Sequence, residues 1–252
     1  MSDSPSDEQQ ERRARARQYD RRTLIRTGLT ASVITGGFYG LSRLIPEPPA
    51  PAGLAQILRD PHAPVLGNPD GDVTVVEYFD YQCSFCRSGH EALMAGILED
   101  GNTRLLLRDW PIFGGISVYA SQLVLGASRI GTGTGTDSGA DGLAQYHKAN
   151  AALMAIRGQM DETRIETALA DAGVDPAAAM QGYLDNRRAW DSFMIRNDRQ
   201  AVQMGFQGTP SFVIGTQTHS GVLSESALRR AIRRARSDGP IVFTPEPETA
   251  PA

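Results

Sequence analysis

The chain has 252 residues, 40% of them hydrophobic, which is enough to build a folded core and excludes a disordered chain. Its formal net charge is −4; residues 1–52 carry 8 Arg against 6 Asp and Glu, which leaves 17 basic and 23 acidic groups, a net of −6, on the rest. That body lacks the basic excess of a nucleic-acid-binding protein, and with two cysteines in all it is no disulfide-stapled scaffold.

In chain order, residues 1–23 are polar and rich in arginine, and Asp20-Arg21-Arg22-Thr23-Leu24-Ile25-Arg26 has the pattern of a twin-arginine export motif. A weakly apolar stretch, Thr27 to Ser42, follows; its 16 residues fall short of the roughly 20 that a spanning helix needs. Pro46-Glu47-Pro48-Pro49 then leads to Ala50-Pro51-Ala52, a small-residue cleavage site. Residues 1–52 read as a signal segment and linker, the alternative being an uncleaved anchor through 27–42. This places the body, 53–236, in the periplasm or another extracytoplasmic compartment, where thiols meet oxidants. Residues 237–252, rich in Pro, Glu and Thr, read as a disordered tail.

Within the body, the turn residues Asn68-Pro69-Asp70-Gly71-Asp72 precede Val73–Asp80, a β-branched and aromatic run that predicts a central strand. Leu93, Met94, Ile97 and Leu98 then recur at helical spacing, so Cys83 falls where strand hands over to helix. Thr103–Trp110 predicts a second strand closed by Pro111, and Ser117–Arg129 a helix. Gly131–Gly142 alternates Gly and Thr without the Gly-Lys-Ser/Thr ending of a phosphate loop. From Leu143 to about Met204 the pattern is helical, with Asp161 capping a helix that stops at Gly173, Pro176 opening Asp175–Asp185, and a last helix over Arg188–Met204. Trp190, Phe193 and Met194 read as core. Pro210–Gly215 predicts a strand, Thr216-Gln217 a tight turn, Thr218–Val222 the returning strand, and Ser224 the cap of a final helix. This order describes an α/β protein, a thioredoxin-like core with an all-helical insertion at about 115–205.

Cys83-Ser84-Phe85-Cys86 holds the only two cysteines. So short a ring stabilises a fold by roughly 2 kcal/mol, against about 4.7 for a ~100-residue loop, so the pair suits making and breaking a disulfide. Two intervening residues set the sulfurs one helical turn apart. Unpaired N–H groups and the positive dipole end at a helix N-terminus lower the pKa of the first thiol, making Cys83 the exposed nucleophile. Three other readings stand beside this one: a structural disulfide, two inert thiols, or a zinc site, for which His62, His90, His147 and His219 show no ligand-like spacing.

Phe79-Asp80-Tyr81-Gln82-Cys83-Ser84-Phe85-Cys86 resembles the active-site segment of the DsbA-like thiol–disulfide oxidoreductases. Arg108–Gly114 and Gly208–Ile214 resemble further segments of that family, and the likeness runs over about residues 60–236. The resemblance implies that Cys83 is the nucleophile and Cys86 the resolving thiol. It implies that Pro210 is a cis-proline beside them, leaving the Thr209 backbone free to pair with an extended substrate. It implies that Glu77 is a buried acid able to shuttle a proton, the alternative being an outward-facing strand residue. Many members carry His or Tyr where this chain carries Phe85, which cannot hydrogen-bond a thiolate; Phe85 is counted with the substrate-binding residues, and a milder oxidant is expected.

On this resemblance the chain is an exported enzyme, a thiol–disulfide oxidoreductase that introduces disulfides into protein substrates. It needs no cofactor beyond the Cys83–Cys86 disulfide and no metal. The implied partners are proteins bearing thiols or disulfides and a membrane redox partner, either a quinone-linked oxidase or a thiol reductant. The alternatives are a disulfide reductase or isomerase, and a non-catalytic peptide-binding or chaperone module on the same fold. Glutathione-using relatives generally lack the intact Cys-x-x-Cys.

Overall fold

The computed structural model describes residues 53–130 and 139–239. The expected signal segment and possible anchor at 1–52, most of the Gly/Thr loop and the tail beyond 239 lie outside the described residues. Among those described, no helix is long and apolar enough to cross a membrane.

Eight helices and five strands follow in the order α1 (Leu54–Leu58), β1 (Val65–Gly67), β2 (Val73–Phe79), α2 (Ser84–Asp100), β3 (Thr103–Asp109), α3 (Gly115–Ala127), α4 (Gly139–Ala155), α5 (Glu162–Asp171), α6 (Pro176–Asp185), α7 (Arg187–Gln203), β4 (Ser211–Ile214), β5 (Gln217–Ser220) and α8 (Glu225–Asp238). One mixed sheet holds the strands in the order β1-β3-β2-β4-β5. β2 lies at its centre, parallel to β3 and antiparallel to β4. Both β2 and β3 are buried on both faces, and for that reason their sequences are near-continuous apolar runs instead of alternating ones. The register sets Glu77 of β2 between Leu107 and Phe212.

Five helices, α3 to α7, separate β3 from β4 and form the insertion. Asp161 caps its helix as expected, accepting from the Arg164 amide, and Asp175, expected inside the next helix, is its N-cap instead and accepts from Ala177 and Ala178. α3 and α6 touch backbone to backbone. A Cβ on Gly126 would sit 2.0 Å from the Ala179 carbonyl oxygen, so only glycine fits there. α7 fastens the insertion to β3. Arg108, fully buried, bonds Asp60 at 2.8 Å, Asn197 at 3.2 Å and the Ile57 carbonyl; Asn197 in turn donates to the Asp109 carbonyl at 2.9 Å.

The hairpin differs from its expected register by one residue. Its turn is Gly215-Thr216, and Gln217 already pairs with Ile214. Gly215 adopts φ +60°, the left-handed conformation the turn demands, which a glycine adopts without steric cost. α1 and β1 were not anticipated, since five and three residues are too few to show a period.

Candidate active site

β2 ends at Phe79, and the chain turns through Asp80-Tyr81-Gln82 into α2, whose N-cap is Cys83. The Asp80 carboxylate builds this junction. One oxygen accepts the Gln82 amide and the Ser117 hydroxyl, both at 2.7 Å; the other accepts the amides of Ile112 at 2.7 Å and Phe113 at 3.1 Å. Burial raises the Asp80 pKa, with those four donors working against it. One buried side chain therefore joins the cysteine turn to the loop after β3. The aspartate two residues before the amide it accepts is the sequence trace of such a turn.

Cys83 and Cys86 are both free thiols, and both are buried, at 5% and 1% exposure. Here the expectation of an exposed nucleophile is corrected. The Thr209 carbonyl stands 3.2 Å from Cys83 Sγ, and the loop that carries it shields the sulfur. The two thiols nevertheless differ sharply. Cys83 is pulled down to about 5, foremost by the Cys86 thiol donating to it, against the cost of burial, with Thr209 and the amides of Cys86 and Phe85 adding to the effect. The Thr209 hydroxyl is buried and otherwise unpartnered, ready to turn to an ionised sulfur. Cys86 is pushed far up, by burial first, then by giving its proton to the Cys83 bond and by the Glu77 charge. A pKa near 5 lies between the roughly 3.5 of a strong thiol oxidase and the roughly 7 of a reductase.

Glu77 is 2% exposed and lines a small cavity with Cys86, Pro210 and Phe212. Burial first, and the Cys83 charge second, push its carboxyl up to about 8, and one oxygen has no hydrogen-bond partner. The Thr209–Pro210 peptide is cis. Phe85 is 65% exposed and lines the same small cavity as Val222, which lies close to Gly89; Ile112 and Phe113 are also exposed, their amides held by Asp80. Cys83, Cys86, Glu77, Thr209, Pro210 and Phe85 thus meet at one place. Asp80, Ile112, Phe113 and Val222 join them without being signalled as site residues by the sequence, because solvent exposure of an apolar loop residue is a tertiary property. Asp109, at the end of β3 opposite Phe79, is a further buried acid; burial raises it to about 7, against a Ser121 hydroxyl. Among the described residues no group of three or more His, Cys, Asp or Glu is placed to hold a metal ion.

Residues 59–234 match the family model described as thioredoxin. The chain belongs to the thioredoxin family. It is similar to a thioredoxin-like oxidoreductase from Silicibacter pomeroyi, with 33% identity, 72% of this chain and 96% of that one covered, and a TM-score of 0.63. The thiol-disulfide exchange protein alpha-DsbA2 of Wolbachia pipientis shares its fold at 22% identity, covering 72% of this chain and 91% of that one with a TM-score of 0.64. So does the catalytic domain of Proteus mirabilis ScsC, at 19% identity, 74% and 96% coverage and a TM-score of 0.62. No curated protein matches the chain by sequence. In this thioredoxin-family chain the helical insertion between β3 and β4 agrees with the DsbA-like arrangement of those neighbours.

Proposed function

We propose that the chain is an exported thiol–disulfide oxidoreductase that oxidises pairs of thiols in protein substrates. The observation that carries this reading is the inequality of the two thiols: Cys83 drawn down to about 5 and Cys86 pushed far up within one helical turn. A low-pKa thiol at the entrance makes a good leaving group, and a good leaving group makes its disulfide an oxidant.

In the reaction a substrate thiolate attacks Cys83 Sγ of the oxidised pair. The Cys83–Cys86 bond breaks, and its electrons leave with Cys86. That sulfur cannot remain a thiolate in its buried site, so it takes a proton. Glu77, protonated at neutral pH with its pKa near 8 and lining the same cavity, is placed to give it. A second substrate thiolate then attacks the substrate sulfur of the mixed disulfide, and Cys83 leaves as its stable thiolate. The substrate has lost two electrons and the protein has gained them. A membrane quinone-linked oxidase is the partner that would withdraw them. The exposed Phe85, Ile112, Phe113 and Val222 around the sulfur would grip an unfolded, apolar segment. The twin-arginine pattern at Arg21-Arg22 supports export.

The test is oxidation of a reduced two-cysteine peptide by the oxidised protein, with the reduction potential of the pair measured alongside. Stoichiometric disulfide formation and a potential above about −200 mV are expected, whereas a potential near the roughly −270 mV of a reductase would reverse the direction of flow. Cys83→Ser should end the exchange outright, and Cys86→Ser should accumulate mixed disulfides on a non-reducing gel. A native pair that neither oxidises nor reduces the peptide would leave a binding module in its place.

A further inference from the structure

Helices α2 and α4 flank a second cavity of about 440 Å³, inside the roughly 300–1,000 Å³ range of small-molecule sites. Arg87 and Arg157 both line it. Arg87 is 91% buried by its 9% exposure and donates only to carbonyls, of Tyr81 at 3.0 Å and Gly158 at 2.9 Å. Arg157 donates to the Met154 carbonyl at 3.4 Å. Neither enters any ion pair among the described residues. Burial first, and Arg157 after it, disfavour the charge of Arg87, while the negative groups that favour it, Cys83, Asp80 and Cys86, belong to the redox site.

Arg87 is buried and Arg157 exposed at the same cavity, and no carboxylate among the described residues pairs with either, so the carboxylate head of a bound anion would gain charge-assisted hydrogen bonds from both. Glu91 on the rim is the one acid lining the cavity, so the balance there stays positive. His90 and His147 also line it; burial lowers both, His90 to about 4, so they are neutral at pH 7. His90 Nδ1 is sequestered with no hydrogen-bond partner. The rest of the wall is Asn150, whose amide donates to the Tyr81 hydroxyl at 3.0 Å, and an apolar stretch that includes Leu66, Met94 and Met154.

We propose that this cavity binds a small organic anion with an apolar tail, a medium-chain monocarboxylate whose head meets Arg87 and Arg157 and whose tail lies along Leu66, Met94 and Met154. The site adjoins the cysteine turn through the Arg87 bond to the Tyr81 carbonyl but holds neither thiol.

The probe is octanoate, titrated calorimetrically into the full chain, with acetate and 1-octanol as controls for head and tail alone. Octanoate should bind at one saturable site, and each control at least about tenfold more weakly. R157Q should weaken octanoate at least about tenfold, while R157K, which keeps the charge, should stay within about threefold of the native chain. A151W, which fills the cavity from α4, should abolish binding, with thermal unfolding monitored to show that each variant is folded. The proposal is overturned if octanoate does not bind at millimolar concentration, if 1-octanol binds as tightly, or if folded R157Q binds octanoate like the native chain.

Discussion

Two of the regions in which the molecule buries ionisable groups treat them in opposite ways. At the anchor between β3 and α7, Arg108 is fully buried but engaged at both terminal nitrogens, by Asp60, Asn197 and the Ile57 carbonyl, its Nε alone lacking a partner, with Arg196 also reaching Asp60 at 3.1 Å. Burial alone would raise Asp60, yet Arg108, the His62 amide and Arg196 outweigh it and hold the carboxyl below its ordinary value. At the cysteine site Glu77 is equally buried, lacks a partner on one oxygen, and rises to about 8. The difference teaches what burial is for. A buried charge with partners stays charged at every working pH and fixes structure. A buried acid short of partners is poised to change protonation, which is useful only beside a group that must gain or lose a proton.

Breaking the anchor should have the largest effect on the fold and none on the chemistry. Arg108→Met leaves Asp60 buried with less compensation and should cost about 3–5 kcal/mol in denaturant unfolding. The midpoint of Cys83 ionisation should not move. If it did, the two regions would be one electrostatic unit and the contrast would fail.

Glu77→Gln should do the reverse. It should slow release of Cys86 in single-turnover oxidation by about 100-fold, the lower end of the range for a lost proton donor. Stability should not fall. Since the folded pKa of Glu77 lies above its unfolded value of 4.5, the folded protein holds this proton more tightly. The native chain therefore loses stability from this residue as pH rises from about 4.5 to 8. The Gln variant lacks that slope, so its advantage in stability should widen across the same window. Parallel unfolding curves of the two proteins from pH 4.5 to 8 would contradict the assignment.

The smallest effect is expected at the apolar rim. Phe113→Ala should raise KM for an unfolded protein substrate by about three- to tenfold, the worth of part of one aromatic contact, and leave kcat unchanged. An equal change with a two-residue dithiol would show that the rim acts on the sulfur and not on the substrate.

Much of this was legible in the sequence, for reasons that are local. Val73–Asp80 and Thr103–Trp110 announce strands because strands buried on both faces leave continuous apolar runs. Asp161 and Ser224 announce helix starts because capping is chemistry between neighbours, and both accept backbone amides as caps. Cys83 and Cys86 were conspicuous by spacing, and Glu77 through the family resemblance. What could not be read depends on distant partners. The hairpin register turned on whether Gly215 or Thr216 took the left-handed position. The shielding of Cys83 comes from Thr209, 126 residues away in sequence. Asp80 looked like an ordinary turn residue until the loop after β3 folded onto it. The Cys86 thiol, not the helix N-terminus alone, proved the foremost influence lowering Cys83.

The central claim is that one motif holds two thiols of opposite acidity. The direct measurement is the pH dependence of alkylation of the reduced protein, with each cysteine followed separately by peptide mass analysis. Cys83 should react with a midpoint near 5 while Cys86 stays unreactive through pH 9. Two thiols titrating together near the ordinary cysteine value of about 8.5 would contradict the account.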